Sequence, residues 1–124
     1  QGVRDFCKSR PNTVCMTHIS HVYPQGANLY FIFIARINQI DEYLDYQYGI
    51  LDSIQKHGAA MSHHHGIGKM IAPWLEGQIG KNQMEVFRAL KRHFDPNNIM
   101  NPGGTLGLDL PEEAVRRYQR DPDQ

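Results

Sequence analysis

The longest apolar stretch of the chain is Leu29-Tyr30-Phe31-Ile32-Phe33-Ile34-Ala35. Its side chains are apolar at odd and even positions alike, and aromatic and β-branched residues dominate. That pattern predicts a central strand covered on both faces. Upstream, Val14, Met16, Ile19 and Val22 mark residues 13–23 as a second strand whose apolar phase shifts midway. Pro24-Gln25-Gly26-Ala27-Asn28 between them reads as a turn, so the two strands form a hairpin. Residues 2–9 fit the end of a helix, closed by Arg10-Pro11.

A helical period follows. Ile40, Tyr43, Leu44, Leu51 and Ile54 recur at offsets of three, four and seven, with Asn38 placed as cap and Asp41 three residues on. Gly49 weakens the middle, and Gly58 is a left-handed stop. Residues 59–62 read as a short extended piece. Residues 69–77 carry Met70, Ile71, Trp74 and Leu75 in a helix with Pro73 in its first turn. A further helix starts at Asn82, has Glu85 as its capping acid, buries Met84, Phe87, Leu90 and Phe94, and stops at Asp95-Pro96. Turn residues fill 97–104. Residues 105–124 form a charged tail with a short helix expected over 112–119. The order β-β-α-β-α-α predicts an α+β domain over residues 1–104, an antiparallel sheet with helices packed on one face.

Bulk properties narrow the field. Thirteen basic and thirteen acidic residues cancel over 124 positions, which removes the electrostatic case for nucleic acid as partner. The apolar run is far shorter than the roughly 20 residues of a membrane-spanning helix. Residues 1–10 are polar and charged, unlike a secretory leader, and the absence of Met at position 1 suggests a fragment or a processed chain. Cys7 and Cys15 are eight residues apart, form neither a CxxC pair nor a disulfide framework, and suit a reducing interior.

The chemistry concentrates in Ser62-His63-His64-His65-Gly66-Ile67-Gly68-Lys69. Imidazole is the side chain that most readily exchanges protons near neutral pH, and glycines let backbone approach a ligand closely. A proton-handling site is one reading of the run. A metal-binding tract and a solvated polar loop are the others, and a metal would draw at most on His63 and His65 if the run were extended. Tyr23 stands at the strand-to-turn junction, where a phenol can face a pocket and give or take a proton. His18 and His21 read as structural or surface residues. Lys69 could hold an anion beside the glycines, but the string is not a phosphate-binding P-loop. Asp95-Pro96-Asn97-Asn98-Ile99-Met100-Asn101-Pro102-Gly103 reads as a helix stop whose asparagine amides could meet a polar cofactor edge.

Taken in order, the segment from Tyr23 to Phe31, the string from Ser62 to Lys69, Trp74-Leu75 and the segment from Asp95 to Gly103 resemble one family. They are similar to the C-terminal (cap) part of the FAD-linked oxidases of vanillyl-alcohol-oxidase type, and within these to the alkyldihydroxyacetonephosphate synthase branch. Hydroxy-acid dehydrogenases of the wider family carry a His-x-x-Asp-Gly-Asn-Leu-His string and a Glu-His-Gly string that can hold a divalent metal. The corresponding segments here end in Leu29-Tyr30 and read His64-His65-Gly66, without the second histidine or the glutamate. The resemblance therefore argues against a resident metal.

The resemblance implies FAD, bound mainly by an upstream domain. It implies exchange of the acyl group of acyl-dihydroxyacetone phosphate for a fatty alcohol in ether-lipid synthesis, with no net redox change. Tyr23 and His65 match the catalytic pair; Ser62, His63, His64 and Lys69 would line the substrate and flavin pocket; Asn98 and Asn101 would lie toward the cofactor. The isolated segment is expected to be inactive. The full enzyme is expected to associate peripherally with membrane or form a homodimer, and to reside in the cytoplasm or on the membrane of a bacterium, or in the peroxisome of a eukaryote, but not to be secreted. Two alternatives remain open at this point: an FAD-linked oxidase or dehydrogenase of an alcohol or hydroxy acid, and a non-catalytic histidine-rich module binding a metal or partner.

Overall fold

A computed structural model describes residues 1–109. The elements run α1 (Gly2–Ser9), β1 (Thr13–Tyr23), β2 (Gly26–Ala35), α2 (Ile40–Lys56), α3 (Gly68–Ile79) and α4 (Lys81–Phe94). The chain divides into two compact units, the first ending at Ala59 and the second beginning at Ala60. This is an α+β fold. Its sheet is the antiparallel hairpin β1–β2, in register from Thr13↔Ala35 to Tyr23↔Gly26.

The turn is tighter than the five residues expected, because β2 already starts at Gly26. Pro24 and Gln25 alone connect the strands. Proline locks φ near −65°, and Gln25 is not among the positive-φ residues, so the connection is not one of the primed turns that favour hairpins.

In the first unit Val3, Cys7, Tyr46 and Ile50 are buried together, with Phe6, Cys15, Phe31, Phe33, Ala35, Ile37 and Ile54 packed around them. Tyr46 is the hub: its ring meets Phe33 at 5.1 Å and Phe6 edge-on at 5.7 Å. Cys7 and Cys15 are both free thiols. Of the stripe expected inside α2, Leu51 is buried and Ile54 packs against the core, while Ile40 is exposed, and Tyr46, Tyr48 and Ile50 are buried beside them. Gly49 is what makes this possible. A Cβ at that position would stand 2.1 Å from the Phe6 ring, so the glycine admits α1 against α2 rather than merely weakening the helix.

The ends of α2 also depart from expectation in one respect. Its N-cap is Gln39, without a side-chain cap bond; Glu42, not Asp41, accepts a bond from the Asn38 backbone N–H at 3.3 Å. The far end follows the prediction. Gly58 takes φ +66, its N–H donates to Gln55 O, and the Ala59 N–H donates to Ile54 O, the two bonds of a Schellman stop.

No third strand exists among the described residues: 59–62 is irregular chain. Two corrections concern the later helices. Pro73 lies inside α3 rather than in its first turn, so its missing N–H leaves a carbonyl of the preceding turn without its helical donor. The N-cap of α4 is Gly80, with no side-chain cap, and Glu85 pairs with Arg88 instead of capping. Arg88 also bonds Glu76 at 3.0 Å, tying α4 to α3. Of the four α4 side chains expected inside, only Met84 is buried, while Leu90 and Phe94 are 48% and 73% exposed. The outward half of the sheet is similar: Val14, Met16, Ile32 and Ile34 are exposed, which corrects the expectation of a strand covered on both faces. No described helix is long and apolar enough to cross a membrane. The short helix expected over 112–119 lies outside the described residues.

Candidate functional site

Two segments that carry candidate chemistry belong to the second unit and one to the first. The histidine run occupies the irregular chain before α3, and its three imidazoles are exposed. They stack edge to face, His63 on His64 at 5.1 Å and His64 on His65 at 4.4 Å. His63 Nδ1 and His64 Nδ1 are 2.8 Å apart. That separation is a hydrogen bond when one nitrogen carries a proton and the other does not. Next to them the Ser62 Oγ is buried and has no protein hydrogen-bond partner. Buried polar atoms are nearly always satisfied, and this one is an exception.

Gly66 and Gly68 take φ of +80° and +55°, a region where an L side chain is strained. A Cβ at either would meet nothing within 4 Å. The glycines therefore serve the sharp path of the backbone, which turns the imidazoles outward and then enters α3. Lys69 is the second residue of that helix and is exposed. Among the described residues no group of three or more His, Cys, Asp or Glu side chains is assembled for a metal.

The Asp95-to-Gly103 loop is braced in a way the sequence reading missed. Asp95 is buried. Lys91, one turn earlier on α4, forms an ion pair with its Oδ2. The Ile99 and Met100 backbone N–H groups donate to the same carboxylate at 2.9 and 3.0 Å, and Lys91 Nζ also donates to Met100 O at 2.9 Å. The signal for this lock was present as a lysine four residues before the Asp-Pro stop. Asn98 and Asn101 both sit at φ +50°, which asparagine tolerates better than most residues. The Asn101 side chain lies where a Gly104 Cβ would be, 2.5 Å away, and Gly103 N–H donates to Asp109 Oδ2 at 2.7 Å. Both asparagines thus have turn-forming roles of their own.

Lys91, followed by the Ile99 and Met100 N–H groups, holds the Asp95 carboxyl below its usual range. A depressed folded-state pKa contributes stability that is present above the unfolded value of about 3.9 and is lost as pH falls through the folded one. Asp95→Asn is expected to lower the midpoint of thermal unfolding at pH 7 and to flatten the acid-side decline, read by melting curves between pH 7 and pH 3. An unchanged decline would remove Asp95 as its source.

Tyr23 closes β1 in the first unit, half-exposed at the hairpin turn and paired with Gly26. Just before it, Ser20 Oγ and His21 Nδ1 are 2.8 Å apart, and His18 and Tyr30 face each other across the strands with ring centroids 6.4 Å apart.

Comparison with known proteins fits these segments. Residues 1–105 match the family of FAD linked oxidases, C-terminal domain. Over 95 residues the chain is 38% identical to an alkyldihydroxyacetonephosphate synthase of Dictyostelium discoideum, covering 74% of this chain and 15% of that protein. It is 34% identical to one of Trypanosoma brucei brucei over 72% of this chain and 15% of the relative. A glycolate oxidase subunit, GlcD of Bacillus subtilis, is 40% identical over 58 residues, 47% of this chain and 12% of that one. The chain thus spans about 15% of the length of the synthases it matches. No solved structure matches it significantly.

Proposed function

The chain belongs to the FAD-linked oxidases, as their C-terminal domain, and on that premise we propose that it supplies part of the active site of an enzyme that exchanges the acyl group of acyl-dihydroxyacetone phosphate for a fatty alcohol. The observation that carries this reading is the similarity to two alkyldihydroxyacetonephosphate synthases over 74% and 72% of this chain, lengths that necessarily take in the histidine run. The match to an FAD-linked glycolate oxidase subunit favours a second reading, oxidation of a small hydroxy acid.

The available groups suit a flavin and a polar substrate. An orphaned Ser62 hydroxyl, three outward imidazoles and an exposed Lys69 offer donors and acceptors to a ligand edge. No described segment forms a dinucleotide cradle, so in this reading an upstream domain holds most of the FAD. When bound, FAD supplies the carbon-activating chemistry that no protein side chain provides.

The residues of this chain have narrower tasks. Tyr23 supplies a phenol and His65 an imidazole for moving the proton on the substrate carbon next to the carbonyl, which is general acid–base work. His63 and His64 can share a proton through their Nδ1 atoms and so pass one along the run. Ser62 and Lys69 orient the substrate, with Lys69 complementing its phosphate. Asn98 and Asn101 would face the cofactor from a loop that Lys91 and Asp95 brace.

The full flavoenzyme that carries this domain should incorporate labelled fatty alcohol into acyl-dihydroxyacetone phosphate with release of fatty acid and no added oxidant. Bleaching of its flavin by glycolate or lactate, without alkyl exchange, would replace this reading with the second one.

A further inference from the structure

The hairpin carries one irregularity, and it falls two residues before Tyr23. Pairing runs unbroken from Thr13↔Ala35 to Ser20↔Asn28, skips His21, and resumes at Val22↔Ala27 and Tyr23↔Gly26. His21 stands at φ +46, the left-handed region that non-glycine residues enter only where their surroundings hold them. Its Nδ1 lies 2.8 Å from Ser20 Oγ, so the side chain is tied to the preceding residue.

The consequence follows from alternation. Directly paired residues point to the same face of a sheet, and successive pairs alternate. Cys15↔Phe33 lies on the face packed beneath α1 and α2, along with Phe31 and Ala35. Val14↔Ile34, Met16↔Ile32 and His18↔Tyr30 lie on the other. Counting back along β2, Gly26 falls with Asn28, Tyr30 and Ile32 on the outer face. Tyr23, its partner, falls there too. In an unbroken strand Tyr23 would share the parity of Cys15 and point to the helix-covered side. One extra residue inverts it, as bulges do when they re-aim a side chain.

We propose that His21 is a positioning residue, whose β-bulge turns the Tyr23 phenol onto the outer face of the hairpin, next to the Ser20–Asn28 pair. The inference rests on the reading of Tyr23 as a proton-moving group. What His21 must provide is a backbone that accepts positive φ, and the Ser20 contact holds it there.

Four variants in the full flavoenzyme test this. Asparagine and glycine accept positive φ, whereas a β-branched residue there is an outlier. Deleting residue 21 removes the extra residue but leaves Tyr23 opposite Gly26 and so on the outer face. H21G, H21N and the deletion are therefore expected to keep most of the exchange rate. H21V should lower kcat by about 10²-fold, the lower end of what a positioned acid–base group contributes, with KM and bound FAD unchanged. It should not lower the rate further in a Tyr23→Phe background, since coupled residues are not additive. A loss in H21G as large as in H21V would assign the effect to the imidazole and overturn the proposal.

The orientation itself has a readout that does not depend on activity. In a crystal structure of the parent flavoenzyme the Tyr23 ring should lie over Asn28, on the outer face. Finding it against Leu29 or Ile19 would also overturn the proposal. Full activity of Tyr23→Phe with the ring over Asn28 would instead retire the proton role of Tyr23 and leave the bulge geometry standing.

Discussion

Replacing His65 by alanine in the full flavoenzyme is expected to lower alkyl exchange by roughly 10²–10⁴-fold, the contribution of a positioned general acid–base group. Bound FAD should be unchanged, because the run is exposed chain before α3 and no core residue depends on it. The geometry sharpens the expectation among the three histidines. His63 and His64 are joined through their Nδ1 atoms, and the proposed proton step belongs to His65 rather than to either of them. His65→Ala should therefore cost more than His64→Ala, read as kcat at saturating substrate. Equal rates for the His65 variant and the parent would remove that residue from the chemistry.

The second large effect is on the fold. Tyr46→Ala should destabilise the protein by about 3–5 kcal/mol, the range for truncating a large buried aromatic, a sizeable part of a typical domain's stability. The reason is specific: the ring touches Phe6 on α1 and Phe33 on β2 from its place on α2, so its loss opens the contact of three elements at once. Tyr46→Phe keeps the ring and removes a buried hydroxyl that has no hydrogen-bond partner, so at neutral pH it is expected to leave stability unchanged or to raise it slightly. Burial, with Cys7 alongside, pushes the Tyr46 phenol up to about 12. A folded-state pKa raised above the unfolded value contributes stability that is complete below about pH 10 and lost as pH rises toward 12. Tyr46→Phe should remove part of that alkaline decline. Denaturant titrations at pH 8 and pH 11 measure both effects, and a decline identical in the two proteins would mean that other groups cause it.

Much of the local structure was legible because it depends on near neighbours. The hairpin follows from two β-prone runs around Pro24, and the Gly58 stop needs only one residue that accepts positive φ. The phase shift in residues 13–23 was visible as well, although its site was not: apolar parity marks that a slip occurs, while pairing with β2 alone places it at His21. Misreadings occurred where a decision depended on residues distant in sequence. Gly49 looked like a weak point in a helix until Phe6 was found across it. The α4 stripe of Leu90 and Phe94 was expected inside, since amphipathic spacing says which side chains share a face but not whether anything covers it. Asp95 is the exception: its partners Lys91, Ile99 and Met100 are near neighbours, so the anchor of that loop was legible as a lysine one turn before the Asp-Pro stop.

The sequence by itself determined the family and the α+β class, because motif identity and hydrophobic period are properties of short segments. Only the tertiary structure decided which face of the hairpin Tyr23 occupies and what Gly49 accommodates. Each of these depends on register or on packing between elements, and a one-residue change in register reverses the direction of every side chain beyond it.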